Sequence, residues 1–295
     1  MERIDTIEAM KRRHAIRDFS DRLIDPSVLN ALQEAIAQAN SQSELNIQLI
    51  HDETDAFGGC PTHYGRFKNV RYCIALIGRD ETCNDDHLQN SRTNNNSHDN
   101  VNSHDNVSNT ADNNQREASH RVQTVVDHAC LDERIGYYGE QLALLATQLG
   151  LDTGWAVLHE TSEHNGQWHM NDDERMPAVI AIGYGTRPGR PHRSKPLTQL
   201  GTVEHGATEH AEGNDSVDNN NATLAGAPEW FLAGLEAVAL APSALGKQPV
   251  FFTLLANGRV RAEALDGVQS EICLGVAKYH FVVGSGRGSD IFVRP

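Results

Sequence analysis

Positive charge is scarce in this chain: 25 lysines and arginines stand against 40 aspartates and glutamates, a formal net charge of -15. A nucleic-acid or anionic-membrane partner needs clustered cations on one face, so neither is expected. Long apolar runs are also missing. None approaches the ~20 residues of a membrane-spanning helix, and MERIDTIEAMKRR does not read as a signal peptide. The five cysteines (Cys60, Cys73, Cys83, Cys130 and Cys273) are odd in number and lack paired metal-ligand spacing. Reduced, mostly buried thiols, a cytoplasmic location and no metal site are therefore expected. No Gly-rich dinucleotide fingerprint is present, since GSGRGS at 284–289 lacks the spacing and a following helix. No Ser/His/Asp or Cys/His nucleophilic set is readable, and no catalytic acid or base is assigned.

What remains is ample for a large core: 295 residues, 39% of them hydrophobic. Two polar stretches stand apart. Residues 83–120 are rich in Asn, Asp, Ser and His and repeat NSHDNV at Asn96 and Asn102, too few apolar groups to offset the entropy of ordering. This stretch reads as a disordered insertion, in which His98 and His104 bind metal loosely at best. Residues 205–224 read as a polar linker. Elsewhere helix and strand alternate. Strands are expected at 46–51, 71–78 and 178–183, and a helix at 136–149 buries Leu142, Leu145, Ala146 and Leu149 before a Gly150 C-cap. Asn257-Gly258 between apolar runs signals a hairpin. The class is α+β, with a central mixed sheet flanked by helices.

Two short segments at opposite ends carry the chemistry. TIEAMKR at 6–12 reads as a helix, and the residues after it as extended chain. Arg13, Ala15 and Arg17 then share one face while His14 and Ile16 point the other way. Two guanidiniums on one face suit a phosphate, because the planar donor fork matches it and stays charged; the alternative is solvated charge at a helix end. Near the other terminus, a helix opening at Pro228 carries Phe231, Leu232, Leu235 and Val238. It runs into Pro242-Ser243-Ala244, with a strand from Val250. Small residues there let backbone approach a flat ligand, or serve only as a tight connection.

Together these segments resemble the nitroreductase family of flavin enzymes. The resemblance implies that Arg13, His14, Ala15 and Arg17 hold the phosphate and ribityl chain of FMN. It also implies that Pro242, Ser243, Ala244, Gly246, Gln248 and Pro249 pack against the flavin. GYYGEQLALLATQLGLDTGW at 136–155 resembles the family's long buried helix and the loop beyond it, which brings Gly154 and Trp155 near the ring. Trp155 either stacks on substrate or fills the core. RSKPL at 193–197 resembles the site of a further cation, Arg193 or Lys195. Ala15 stands where the family has serine, a loss of about 1 kcal/mol or fivefold in affinity. Gly246 replaces an asparagine.

The order of the pieces is unusual for the family. The place of the Pro-Ser segment is taken by EAIAQANSQSELNIQLI at 34–50, which aligns with EAVALAPSALGKQPVFF from Glu236 and matches Glu34, Ala35, Ala37, Ala39 and Ser41 to Glu236, Ala237, Ala239, Ala241 and Ser243. Two unequal copies, 1–204 and 225–295, are therefore expected to fold as an internal pseudo-two-fold dimer. Only the first copy has the arginines and only the second has the turn, so one complete site per chain follows. The chain is expected to be a monomeric pseudo-dimer, or else a homodimer.

The function the resemblance implies is an FMN-dependent oxidoreductase that passes electrons from NADH or NADPH to a small organic acceptor by a ping-pong mechanism. Two alternatives stay open: a degenerate flavoprotein that stores flavin or carries electrons, and a non-flavin module that holds another phosphorylated ligand.

Overall fold

The computed structural model describes residues 4–79, 129–161, 168–191, 193–204 and 224–293; the expected insertion at 83–120 and all of the expected linker except Leu224 lie outside the described residues. The first helix, α1 (Thr6–Arg12), has the expected bounds. It starts because the Asp5 carboxylate accepts the Glu8 N–H at 2.7 Å, and it ends where Arg13 turns extended. Asp25 caps α2 (Pro26–Ser43) with proline in the first turn, and Leu32, Ile36 and Ala39 recur at helical spacing on its buried side.

A four-stranded antiparallel sheet follows, in the order β1 (Gln48–His51), β2 (Tyr72–Arg79), β4 (Glu174–Gly183), β3 (Asp152–Ala156). The central strands β2 and β4 are apolar almost throughout because both faces are covered. Tyr72, Ile74 and Leu76 with Ala178, Ile180 and Ile182 pack under α3 (Leu131–Gln148). Cys73, Ala75 and Ile77 with Val179 and Ala181 face the other way, onto Phe19, Phe57 and Trp168. The α3 helix begins at Leu131, earlier than expected, with Asp132 and Glu133 in its first turn. The chain beyond it, expected as a loop, is strand β3, paired in register with β4 from Asp152↔Gly183 to Ala156↔Val179.

The rest of the chain repeats this scheme in smaller form. Helix α4 (Glu229–Ala239), hairpin β6 (Val250–Leu254) and β7 (Val260–Ala264), and helix α5 (Ser270–Ser285) follow the order of α2, β1, β2 and α3. Gly258, at φ +77°, makes the hairpin turn at the expected place. Strand β5 (Gly201–Val203), which precedes the linker, lies parallel to β6, so the first half lends a strand to the second half's sheet. Among the described residues the β structure thus divides into two sheets, a four-stranded antiparallel one and a three-stranded mixed one.

The two halves meet where α3 crosses α5. A Cβ on Gly136 would lie 2.1 Å from the Ile272 carbonyl oxygen, and one on Gly275 would lie 1.9 Å from that of Glu133. Gly136 and Gly275 each stand sixth in their helices, and Glu133 and Ile272 each stand third. The contact is its own mate under a two-fold rotation, as in an isologous dimer interface. The chain is a pseudo-dimer of unequal halves within one polypeptide.

Candidate functional site

The arginine arm is placed by the free edge of β3. Ala15 bridges Thr153 in parallel, and the Ile16 N–H donates to the Thr153 carbonyl at 2.9 Å. This extended register turns Ile16 into the core with Phe19 and leaves Arg13, Ala15 and Arg17 on the opposite side. His14 packs away from that side, its Cβ against Gly189. Gly154 lies directly beneath the arm, because a Cβ there would come within 2.1 Å of the Ile16 carbonyl oxygen.

The Pro-Ser turn is held from below by a set of hydrogen bonds. The Ser243 hydroxyl accepts the Gln248 N–H at 2.8 Å, and the Ala244 N–H donates to the Cys273 sulfur at 3.3 Å. Gln248 is only 4% exposed. Its side-chain amide donates toward the carbonyls of Val238 at 3.2 Å, Ala239 at 3.0 Å and Ala241 at 3.4 Å, closing the end of α4. Its side-chain oxygen accepts the Lys195 N–H at 2.8 Å, and the Lys195 ammonium donates to the Gln248 carbonyl at 2.8 Å. Above these anchors Leu245 and Gly246 both take positive φ, +54° and +66°. Leu245 is thereby held out 59% exposed, a conformation that costs a non-glycine residue about 1 kcal/mol or more.

Arm and turn face one another across a solvent-open cleft of about 820 Å³, whose wall includes Arg13, Ala15, Arg17 and Trp155 from one half and Pro242, Ser243 and Ala244 from the other. Seven of the expected binding residues are therefore brought together. His14, Gly154, Arg193, Lys195, Gly246 and Gln248 do not line the cleft. Arg193 is exposed, while Lys195 and Gln248 brace the turn from behind. Sequence reasoning missed Tyr64, Leu245, Gln269, Ile272, Cys273 and Val276, which also line it. The helical spacing of Ile272 and Val276 in SEICLGVAKYHFVVG was a usable signal. Tyr64 sits in an irregular segment and had none.

Behind the wall lies a buried charged group of residues. Glu140 of α3 is fully buried. One carboxylate oxygen accepts the Trp155 indole N–H at 3.0 Å; the other lies 3.6 Å from Nε of Arg13 and 3.0 Å from Nε2 of His280. Burial lowers the pKa of Arg13, and the Glu140 charge opposes that shift. Nε of Arg13 is buried and directed at the Glu140 carboxylate, beyond hydrogen-bond distance. The Cys273 thiol is pushed up, chiefly by burial, and partly relieved by the N–H of Ala244; it is a packing and anchoring group rather than a nucleophile.

At the opposite end of the α3/α5 crossing the described residues take other partners. By the two-fold relation the mate of Cys273 is Arg134, which is buried and donates to the Ser43 carbonyl at 3.2 Å. The residue aligned with Pro242 is Asn40, whose side chain donates to the Ile47 carbonyl at 2.9 Å and accepts the Ile47 N–H at 2.8 Å. Helix α2 therefore continues to Ser43 where α4 stops at Ala239, and a guanidinium fills the place of a thiol.

A family model described as "Putative TM nitroreductase" matches residues 5–91 and 86–285. No curated protein matches the chain. Among solved structures the chain is similar to a protein described as "a putative nitroreductase" from Thermotoga maritima MSB8, at 18% identity over 96% of this chain and 85% of that one, with a TM-score of 0.49. It is also similar to a "Nitroreductase Family Protein" from Streptococcus pneumoniae TIGR4, at 17% identity over 66% and 98% of the two chains, TM-score 0.43. A further similar protein, from Desulfovibrio desulfuricans, was solved in complex with FMN; identity is 16% over 67% and 95%, TM-score 0.40. No helix among the described residues is long and apolar enough to cross a membrane.

Proposed function

The chain belongs to the TM nitroreductase family, and from that membership we propose that it is an FMN-dependent oxidoreductase passing electrons from NAD(P)H to a small organic acceptor. The observation that carries the reading is the cleft itself, in which the arginine arm and the Pro-Ser turn converge from opposite ends of the chain. The donor set also fits: two guanidiniums stand beside an apolar wall of Trp155, Ala156, Val157, Ala178 and Val276.

In this reading Arg13 and Arg17, which both line the cleft, bind the phosphate. The side chains of Trp155, Ile272 and Val276 form the apolar bed, and the turn at 242–245 covers it with little more than backbone. Bound FMN would supply hydride acceptance from NAD(P)H and reduction of the acceptor. Tyr64 and the exposed Leu245 form the rim where donor and acceptor bind in turn, which gives ping-pong kinetics. Micromolar retention needs about 8 kcal/mol. Two charge-assisted contacts at roughly 1.5–3 kcal/mol each supply about 3–6 kcal/mol of this, and ring burial the rest.

The test is an absorption spectrum of purified protein with the released chromophore quantified per chain, repeated anaerobically after NADH or NADPH. One FMN per chain that bleaches on reduction is expected. Two per chain would contradict the blocked second end, and FMN that never bleaches would favour a flavin store. Protein that stays colourless after incubation with FMN would refute the cofactor assignment and favour another phosphorylated ligand.

A further inference from the structure

The geometry assigns Glu140 as a positioning residue of the cleft: its buried carboxylate, held in place by His280, fixes both Arg13 and Trp155. The assignment rests on the flavin reading for its affinity arm only. A fully buried carboxylate is expensive to desolvate and is weak evidence for stability, so its partners indicate its use. Two of the three line the cleft: the Trp155 indole at 3.0 Å and the Arg13 guanidinium at 3.6 Å. The third, His280, is itself fully buried. Its Nδ1 lies 2.9 Å from the Ala237 carbonyl of α4, an acceptor only, so Nδ1 donates there, and a second proton, held between Nε2 and the Glu140 carboxylate, closes their 3.0 Å contact. The imidazole therefore ties Glu140 to the helix that leads into the Pro-Ser turn, joining arm, wall and turn through one side chain.

The same linkage does not recur at the other end of the crossing. Under the two-fold relation of α3 and α5, Glu140 and His280 stand against Tyr279 and Gln141. Neither mate is a carboxylate, so the motif cannot form at the blocked end. A residue needed only for helix packing has no reason to be confined to the end that carries the cleft.

Two effects of removing the charge oppose each other, and the sign distinguishes them. If Glu140 merely neutralised Arg13, Glu140→Gln would strengthen anion binding. If it positions Arg13, the variant weakens binding by about tenfold or more, roughly the worth of one charge-assisted contact. The full chain, wild type and Glu140→Gln, is titrated with FMN by flavin fluorescence. The Trp155 indole N–H resonance is followed in ¹⁵N-labelled protein and assigned by Trp155→Phe. Weaker FMN binding together with a displaced indole resonance, in protein whose far-UV circular dichroism is unchanged, is the expected result. An unmoved indole resonance, or FMN bound as tightly as or more tightly than in wild type, overturns the assignment. The indole measurement needs no flavin, so it decides the matter even if wild type takes up no FMN and the flavin reading fails. Should Glu140→Gln not fold, His280→Gln releases the carboxylate from its anchor while retaining its charge, and the same two readouts apply.

Discussion

A single methyl group at position 275 is expected to destabilise the protein although alanine is the better helix former. The methyl would lie 1.9 Å from the Glu133 carbonyl oxygen and 2.7 Å from the Tyr137 amide nitrogen, and both are backbone atoms that cannot rotate aside. Helix α5 would have to recede until the closest contact opened from 1.9 Å to the 3.4 Å of ordinary van der Waals approach. Overpacking of this kind costs roughly 1–3 kcal/mol, and more when backbone must move; the helix preference of alanine over glycine returns about 1 kcal/mol. Because the obstruction is backbone, the upper part of the range applies, and the net loss is about 2 kcal/mol. For a domain of this size that lowers Tm by about 4–8 °C. Gly136→Ala meets the Ile272 carbonyl in the mirrored way and should cost a similar amount. The double variant is the sharper test: one separation of the helices relieves both clashes, so the two losses should fall short of adding by about 1 kcal/mol or more. Urea and thermal denaturation of the four proteins measure this. A Gly275→Ala protein as stable as wild type, or strictly additive losses, would refute the tight two-fold crossing.

Two further outcomes follow from hydrogen bonds described above. Gln248→Glu preserves shape but sets a carboxylate oxygen against the carbonyls of Val238, Ala239 and Ala241; a loss of about 2–4 kcal/mol in urea denaturation is expected, and an unchanged midpoint would deny Gln248 its bracing role. Asp25 caps α2, and its pKa is lowered by hydrogen bonds from the Ser27 side chain and backbone. A depressed folded-state pKa contributes stability above the unfolded value that is lost as pH falls through the folded one. Asp25→Ala should therefore lower Tm at pH 7 and by less below pH 3, whereas an equal deficit at both would exclude the charged cap.

Local signals in the sequence were informative wherever a neighbour in the chain decides the structure. The bounds of α1, the end of the Pro228 helix before Pro242, the turn at Gly258 and the alternation along Arg13, Ala15 and Arg17 all rest on capping, proline geometry or strand period, which are properties of a few consecutive residues. Side chains whose targets are remote in sequence were not legible. Lys195 and Gln248 carry the right chemistry for an anion or a ring edge, yet each satisfies the other's backbone, 53 residues away. Glu140 and His280 lie in helices whose pattern marks them only as core-facing, and their pairing depends on how α3 crosses α5. Residues 152–156 form a strand because β4 offers an edge, a tertiary reason that overrides a short glycine-containing sequence. The expected single sheet became two because each half closes its own hairpin.

The fusion of two halves also alters the order of the reaction by which the cleft comes into being. Arg13 and Pro242 line one cleft and belong to one polypeptide, so bringing them together is a first-order folding event, driven by a tether rather than by encounter. A contact shared between separate subunits thins out on dilution, whereas the meeting of Arg13 and Pro242 within one chain does not depend on protein concentration. Independence of the two halves carries a genetic corollary. In a symmetric dimer an arginine introduced at position 134 would appear at both ends of the crossing; here it stands at one end, and Cys273 keeps the matching place at the other.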